Sequence, residues 1–187
     1  MSKAVTALNG ATFEGFVTVR DAGLTGMITI RGNFKSTKFK AAVKAVLDMA
    51  VPKQRVVATT GDKTLLWMSP DELLLVLPYE AVDAMIASLA VAFADLHALA
   101  VDVSDARSVF KVSGEKSREA VAKLAPVDLS EVFQMGEIRR TRLAQVPAAF
   151  WLSDADEFTV VAFRSVANYV MGILSAAAQD GGEVNYL

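Results

Sequence analysis

The stretch Leu65-Leu66-Trp67-Met68-Ser69-Pro70-Asp71-Glu72-Leu73-Leu74-Leu75-Val76-Leu77 decides the fold class. Residues 65–68 form a short apolar and aromatic run, and residues 73–77 form a continuous apolar one. Runs of that length bounded by turn residues read as strands, the second a buried one. Between them Ser69-Pro70-Asp71-Glu72 supplies the residue types that preset and stabilise a tight turn. The segment therefore predicts an antiparallel hairpin.

Helical patterns flank the hairpin on both sides. Upstream, Ser36 is placed to cap a helix in which Phe39, Val43, Val46 and Leu47 recur at helical spacing, and Pro52 is expected to stop it. Downstream, residues 79–94 carry a stripe of Val82, Met85, Ile86, Leu89 and Phe93. Before the first helix, residues 16–21 alternate, and residues 27–31 put Ile28 and Ile30 on one face; both read as strands. Residues 1–14 are weakly patterned and read as an arm.

The same grammar returns after about Leu96. Strands are expected at 98–103, 107–112, 139–146, 148–152 and 158–163. A helix over 115–124 presents Ser117, Val121 and Leu124 inward and ends at Pro126. Another is capped by Ser165 and carries Val166, Tyr169, Val170, Ile173, Leu174 and Ala177 on one side. The expected fold is α+β: two fused split β-α-β (ferredoxin-like) subdomains with antiparallel sheets, residues 1–95 and 96–187.

Composition narrows the function. Hydrophobic residues make up 53% of the chain and charged residues 21%, enough apolar mass for a sizeable core. A net charge of -2 gives no basic surplus for nucleic acid. The absence of cysteine removes thiolate nucleophiles, disulfides and Cys-based metal sites, and fits a reducing cytoplasm. The most apolar region, 73–103, is interrupted by Pro78, Glu80, Asp83, Asp95 and Asp102, so no membrane span is expected. The high hydropathy fits either an Ala- and Val-rich core or a surface covered by other chains.

Few residues have the type and spacing that catalysis needs. His97 is the single histidine; Ser104 and Asp102 are near it in sequence, but residues so close on one strand do not converge as a triad requires. Asp154, Asp156 and Glu157 read either as a hairpin turn or as a carboxylate-only cation site. Phosphate-binding glycine loops are absent, and Gly181-Gly182 follows a helix instead of opening one. Trp67 and Trp151 read as core. Asp71-Glu72, and Asp102 with Asp105, read as turn and cap residues. Arg139, Arg140 and Arg142 open a strand, with Arg140 and Arg142 on one face and Arg139 on the other. They either guard a sheet edge or pair with carboxylates of a partner chain.

The run from Leu65 to Leu74 resembles the Leu-Trp-x-x-Pro-Asp-Glu-x-Leu signature of sarcosine oxidase gamma subunits. Asp102-Val103-Ser104 with Arg107, Val112-Ser113-Gly114, Leu124 with Asp128-Leu129, Phe133 with Gly136, and Thr141-Arg142-Leu143-Ala144 are similar to successive blocks of that family. Phe158, Arg164-Ser165, Ala167, Tyr169 and Leu174 resemble its closing helix pattern. The resemblance implies the architecture of the folate-binding fold of glycine-cleavage aminomethyltransferase. It also implies a non-catalytic structural role beside alpha, beta and delta subunits, in a complex that demethylates sarcosine to glycine. FAD, FMN, NAD, tetrahydrofolate and zinc would be held by those other subunits, with no catalytic or metal residue in this chain. The alternative is a stand-alone folate-binding or aminomethyltransferase-like protein, with Asp102 as the acidic group for the pterin. A third reading is an assembly factor for flavoprotein maturation.

Overall fold

The computed structural model describes residues 4–185. The chain opens with β1 (Thr12–Glu14). A first series follows: β2 (Thr18–Asp21), β3 (Gly26–Arg31), α1 (Thr37–Leu47), β4 (Val57–Thr60), β5 (Lys63–Ser69), β6 (Glu72–Leu77) and α2 (Val82–Ala92). A second series repeats its order: β7 (Leu99–Asp102), β8 (Arg107–Ser113), α3 (Ser117–Ala122), β9 (Ile138–Leu143), β10 (Val146–Asp154), β11 (Glu157–Phe163) and α4 (Ala167–Ala177).

These strands form two wholly antiparallel sheets, ordered β1-β2-β8-β11-β10-β9 and β4-β5-β6-β3-β7. Placing β8 on β3, β11 on β6, β10 on β5, β9 on β4 and β2 on β7 makes the two orders coincide, apart from the extra strand β1. Each unit is therefore a split β-α-β motif with one added edge strand, β4 or β9, and the unit containing β8 carries β1 as a second.

The compact units are Thr25–Ser104 and the remainder, Met1–Leu24 with Asp105–Leu187. A single cut at 95/96 marks where the element order repeats along the chain, but the spatial units differ from it. The cause is strand pairing. β7 pairs with β3 and so belongs to the first unit, while β2 pairs with β8 and belongs to the second. Each series donates its leading strand to the other unit's sheet.

Local chemistry explains most element ends. Ser36 caps α1 by accepting the Phe39 N–H at 3.3 Å. That helix ends at Asp48, which takes a left-handed conformation (φ 58°) and donates its N–H to the Lys44 carbonyl. The chain has thus left the helix before Pro52, which does not stop it. Ser165 does not cap the last helix: it lies inside a short 3-10 turn, and the cap position, Val166, makes no side-chain bond. Strand β4 was not expected from its sequence, Val57-Ala58-Thr59-Thr60, where apolar and polar residues are segregated instead of alternating.

Two apolar cores result. In Thr25–Ser104, Ile28, Ile30, Leu65, Leu73 and Leu75 meet Phe39, Val43 and Leu89 from the helices. In the other unit, Val19, Phe110, Phe150, Phe158 and Val160 meet Val121, Val170 and Leu174. Among the described residues no helix is long and apolar enough to cross a membrane. Trp151 is buried, as expected, whereas Trp67 is only half-buried, beside the bulge between Trp67 and Ser69 that twists β5 at the turn.

Candidate functional site

The hairpin turn between β5 and β6 is clamped from β3. The Arg31 guanidinium donates to Asp71 Oδ2 at 2.5 Å, and Ser69 Oγ donates to Asp71 Oδ1 at 2.7 Å. The Gly32 N–H donates to the Asp71 carbonyl at 3.1 Å. The hydrogen bond and charge of Arg31 hold the Asp71 carboxyl below its ordinary value. Both partners are about half exposed (49% and 56%), so this pair fixes geometry more than it stabilises. Beside it an open cleft of about 690 Å³ runs between Arg31, Asn33, Pro70, Asp71, His97 and Leu99.

His97 and Asp102 flank β7 at opposite ends. An extended strand separates residues five apart by roughly 16 Å, so His97, Asp102 and Ser104 form no triad. Asp102 is exposed, and its Oδ1 accepts from the Ser104 N–H at 2.8 Å and the Ser104 hydroxyl at 2.5 Å. Ser104 Oγ in turn accepts the Met27 N–H at 2.9 Å. The Asp102-Val103-Ser104 run thus locks the end of β7 onto β3.

The three arginines lie on β9, an edge strand. Arg139 turns inward: its guanidinium carbon is 5.1 Å from the centre of the Phe133 ring, and it bonds Glu137 at 2.9 Å. Arg140 and Arg142 are exposed, and Arg142 donates to Gln145 at 2.9 Å. Sequence reasoning missed Arg118. Its Nη1 reaches three carbonyls, Leu129 at 2.8 Å, Ser130 at 2.9 Å and Phe133 at 2.9 Å. That one side chain organises the long connection before β9 and leaves Val132 and Met135 exposed beside the buried Phe133. The available signal was indirect: a long connection inside a compact unit needs partners for its backbone carbonyls.

On β8, β10 and β11 a polar cluster gathers around Lys111. Its Nζ donates to Ser153 at 3.0 Å, Glu157 at 2.6 Å and Thr159 at 2.7 Å, which uses all three ammonium donors. Ser113 also donates to Glu157, at 2.8 Å. Burial pushes the Glu157 carboxyl up, but the Lys111 ammonium with the Ser113 and Ser153 hydroxyls outweighs it and holds the group at about 2. Glu157 is therefore an ion-pair residue of the sheet. Among the described residues no group of three or more His, Cys, Asp or Glu is placed to hold a metal ion.

This cluster makes stability pH-dependent. A depressed carboxyl stabilises the fold fully above its unfolded value of 4.5, and the contribution is lost as pH falls through about 2. With 22% of the Glu157 side chain still exposed, solvent screening reduces the effect to about 1–2 kcal/mol. Glu157→Gln is expected to unfold more easily than the unchanged chain by that amount near neutral pH. In urea titrations across pH the gap closes as acid protonates Glu157; a gap independent of pH contradicts the assignment.

Two split β-α-β units built by exchange of their leading strands define an α+β protein of the aminomethyltransferase-like fold. The glycine cleavage system aminomethyltransferase T from Bartonella henselae matches 86% of this chain with a TM-score of 0.61, covering 46% of its own length at 13% identity, a likeness of fold. The chain belongs to the sarcosine oxidase gamma subunit family, whose model matches residues 31–180. It is 28% identical over 177 residues to sarcosine oxidase subunit gamma of Corynebacterium sp. (strain P-1), spanning 93% of this chain and 86% of that protein. A chain of the heterotetrameric sarcosine oxidase from Corynebacterium sp. U-96, in complex with pyrrole 2-carboxylate, matches with a TM-score of 0.81 at 25% identity, over 89% of this chain and 87% of that one. The signature resemblance at residues 65–74 and the blocks after it fall within the matched span.

Proposed function

We propose that this chain is the gamma subunit of a heterotetrameric sarcosine oxidase and that its work is assembly, without bond-breaking chemistry of its own. The family match across residues 31–180, joined to the whole-chain likeness to a component of such an oxidase, carries this reading. Its partners are alpha, beta and delta subunits in the cytoplasm. FAD, FMN, NAD and tetrahydrofolate reside on alpha and beta, and zinc on delta. The complex converts sarcosine to glycine by oxidative demethylation. Of Arg139, Arg140 and Arg142, the latter two supply exposed guanidinium forks for partner carboxylates, while Arg139 is held by Phe133 and Glu137. The saturated Lys111 ammonium and the locally bonded Asp102 carboxylate support a role without catalysis, since each already has its partners.

Co-expression with the other subunits tests the proposal. The expected result is a stoichiometric complex that oxidises sarcosine, while the purified chain alone gives no turnover. Sarcosine oxidation by the lone polypeptide overturns it. Titration with tetrahydrofolate, read by the fluorescence of Trp67 and Trp151, tests the folate alternative: saturable quenching that Asp102→Ala abolishes would favour a pterin site here.

A further inference from the structure

We propose that the outer edge of β7 is completed, in the assembled oxidase, by an extended segment of a partner subunit added as an antiparallel strand. This rests on the heterotetramer reading above and names where one of its contacts is made.

The chain carries its own template for this. In the unit containing β8, the position equivalent to β7 is filled by β2, and a further strand, β1, pairs outside it through Thr12↔Arg20, Phe13↔Val19 and Glu14↔Thr18. In Thr25–Ser104 the sheet stops at β7, and among the described residues no strand fills the equivalent outer place. The edge carries one charge, Asp102 at its end, and that carboxylate is bonded to Ser104. Natural edges are blunted by shortness, charge, Pro or a bulge; β9 carries three arginines, whereas β7, four residues long, runs Leu99-Ala100-Val101 before Asp102 without Lys, Arg, Pro or a bulge. Leu99 and Val101 are 51% and 40% exposed and share one face.

The backbone is set for pairing. The Val103 N–H donates to the Met27 carbonyl at 2.8 Å, so in this register Val101 and Leu99 also bond inward to β3. By alternation the N–H and C=O of Ala100 and Asp102 point outward. The Asp102–Ser104–Met27 bonds hold that geometry in advance. The occupant's chemistry follows from the neighbours. Opposite Ala100, a small half-buried residue on the core face, it presents a bulky apolar side chain, as Phe13 does opposite Val19. Its flanking residues, facing Leu99 and Val101, carry no charge. Running antiparallel, it leaves past Leu99 into the cleft lined by Asn33 and His97.

Ala100→Pro tests this. Proline at an edge position whose N–H faces outward spares the inner ladder but removes the donor that an added strand needs. Assembly is read by native mass spectrometry of the chain mixed with the remaining subunits, with hydrogen exchange of residues 99–102 read in the unsubstituted complex. The expected result is at least about a tenfold weaker assembly, from the lost backbone bond and the blocked edge, with the circular dichroism of the free chain unchanged. Exchange at the Ala100 amide is expected to slow on assembly. Normal assembly of the proline variant, or unchanged exchange at Ala100, overturns the β7 contact while leaving the heterotetramer reading intact. Failure of the unsubstituted chain to join the other subunits overturns both. Dimers of the chain alone that Ala100→Pro dissolves replace the partner strand with a second copy and overturn the proposal as stated. Should the variant misfold, the exchange measurement decides by itself.

Discussion

Phe133→Ala is expected to lower the unfolding free energy by about 3–5 kcal/mol, the cost of emptying a fully buried aromatic site. Phe133 has no solvent exposure, although it comes from an irregular connection. Its ring centre lies 5.9 Å from that of Phe158 and 6.2 Å from that of Phe150, and the Arg139 guanidinium covers it. Truncation removes the aromatic contacts and the transfer energy together. It also removes the apolar anchor of the segment that Arg118 ties down through three carbonyls, so that the connection loosens. For a chain of this size a loss of about 4 kcal/mol lowers Tm by roughly 8–16 °C. Calorimetry checks it, and Phe133→Leu, which keeps most of the volume, is expected to recover most of the loss. A change below about 1 kcal/mol would show that the site collapses around the missing ring, against the packing described.

Gly15→Ala is the second large effect, and it arises from backbone, not side chain. A Cβ at residue 15 would stand 2.0 Å from the carbonyl oxygen of Ala178, an atom that cannot rotate away. That same carbonyl accepts the Phe16 N–H at 3.0 Å, a bond that ties the β1–β2 connection to the end of α4. Relief requires either this bond to open or the end of α4 to shift, at a cost of about 3 kcal/mol, the upper range for overpacking. Gly172→Ala provides the control. Nothing lies within 4 Å of a Cβ there, and the residue is exposed inside α4. Alanine at an exposed helix interior stabilises by about 0.5–1 kcal/mol. The same substitution is thus expected to have opposite signs at two positions, which urea denaturation distinguishes directly. Equal effects at both would contradict the close approach at Gly15.

Much of this structure was legible because the signals are local. The hairpin at residues 65–77, the stripe of α2 and the Ser36 cap each depend on side chains within a few residues of one another, and all three are found where the spacing put them. The Arg140 and Arg142 face was legible for the same reason, since alternation along a strand fixes it. Where the reading differed, another local force or a distant contact prevailed. Asp48 ended α1 ahead of Pro52 by adopting the left-handed region. The ion pair of Glu157 was missed because its partner Lys111 is 46 residues away in sequence.

By itself the sequence determined the antiparallel α+β class and the type of every element except β1 and β4, because strand and helix periods and turn residues are written over a few neighbouring positions. The tertiary structure alone decided which unit each leading strand joins, that β7 and β9 are edges, and that Arg118 and Phe133 hold one connection in place. These depend on pairings such as Val19 with Val112 and Ile30 with Ala100. Local spacing cannot choose among such distant partners; the choice comes from burying both apolar cores together.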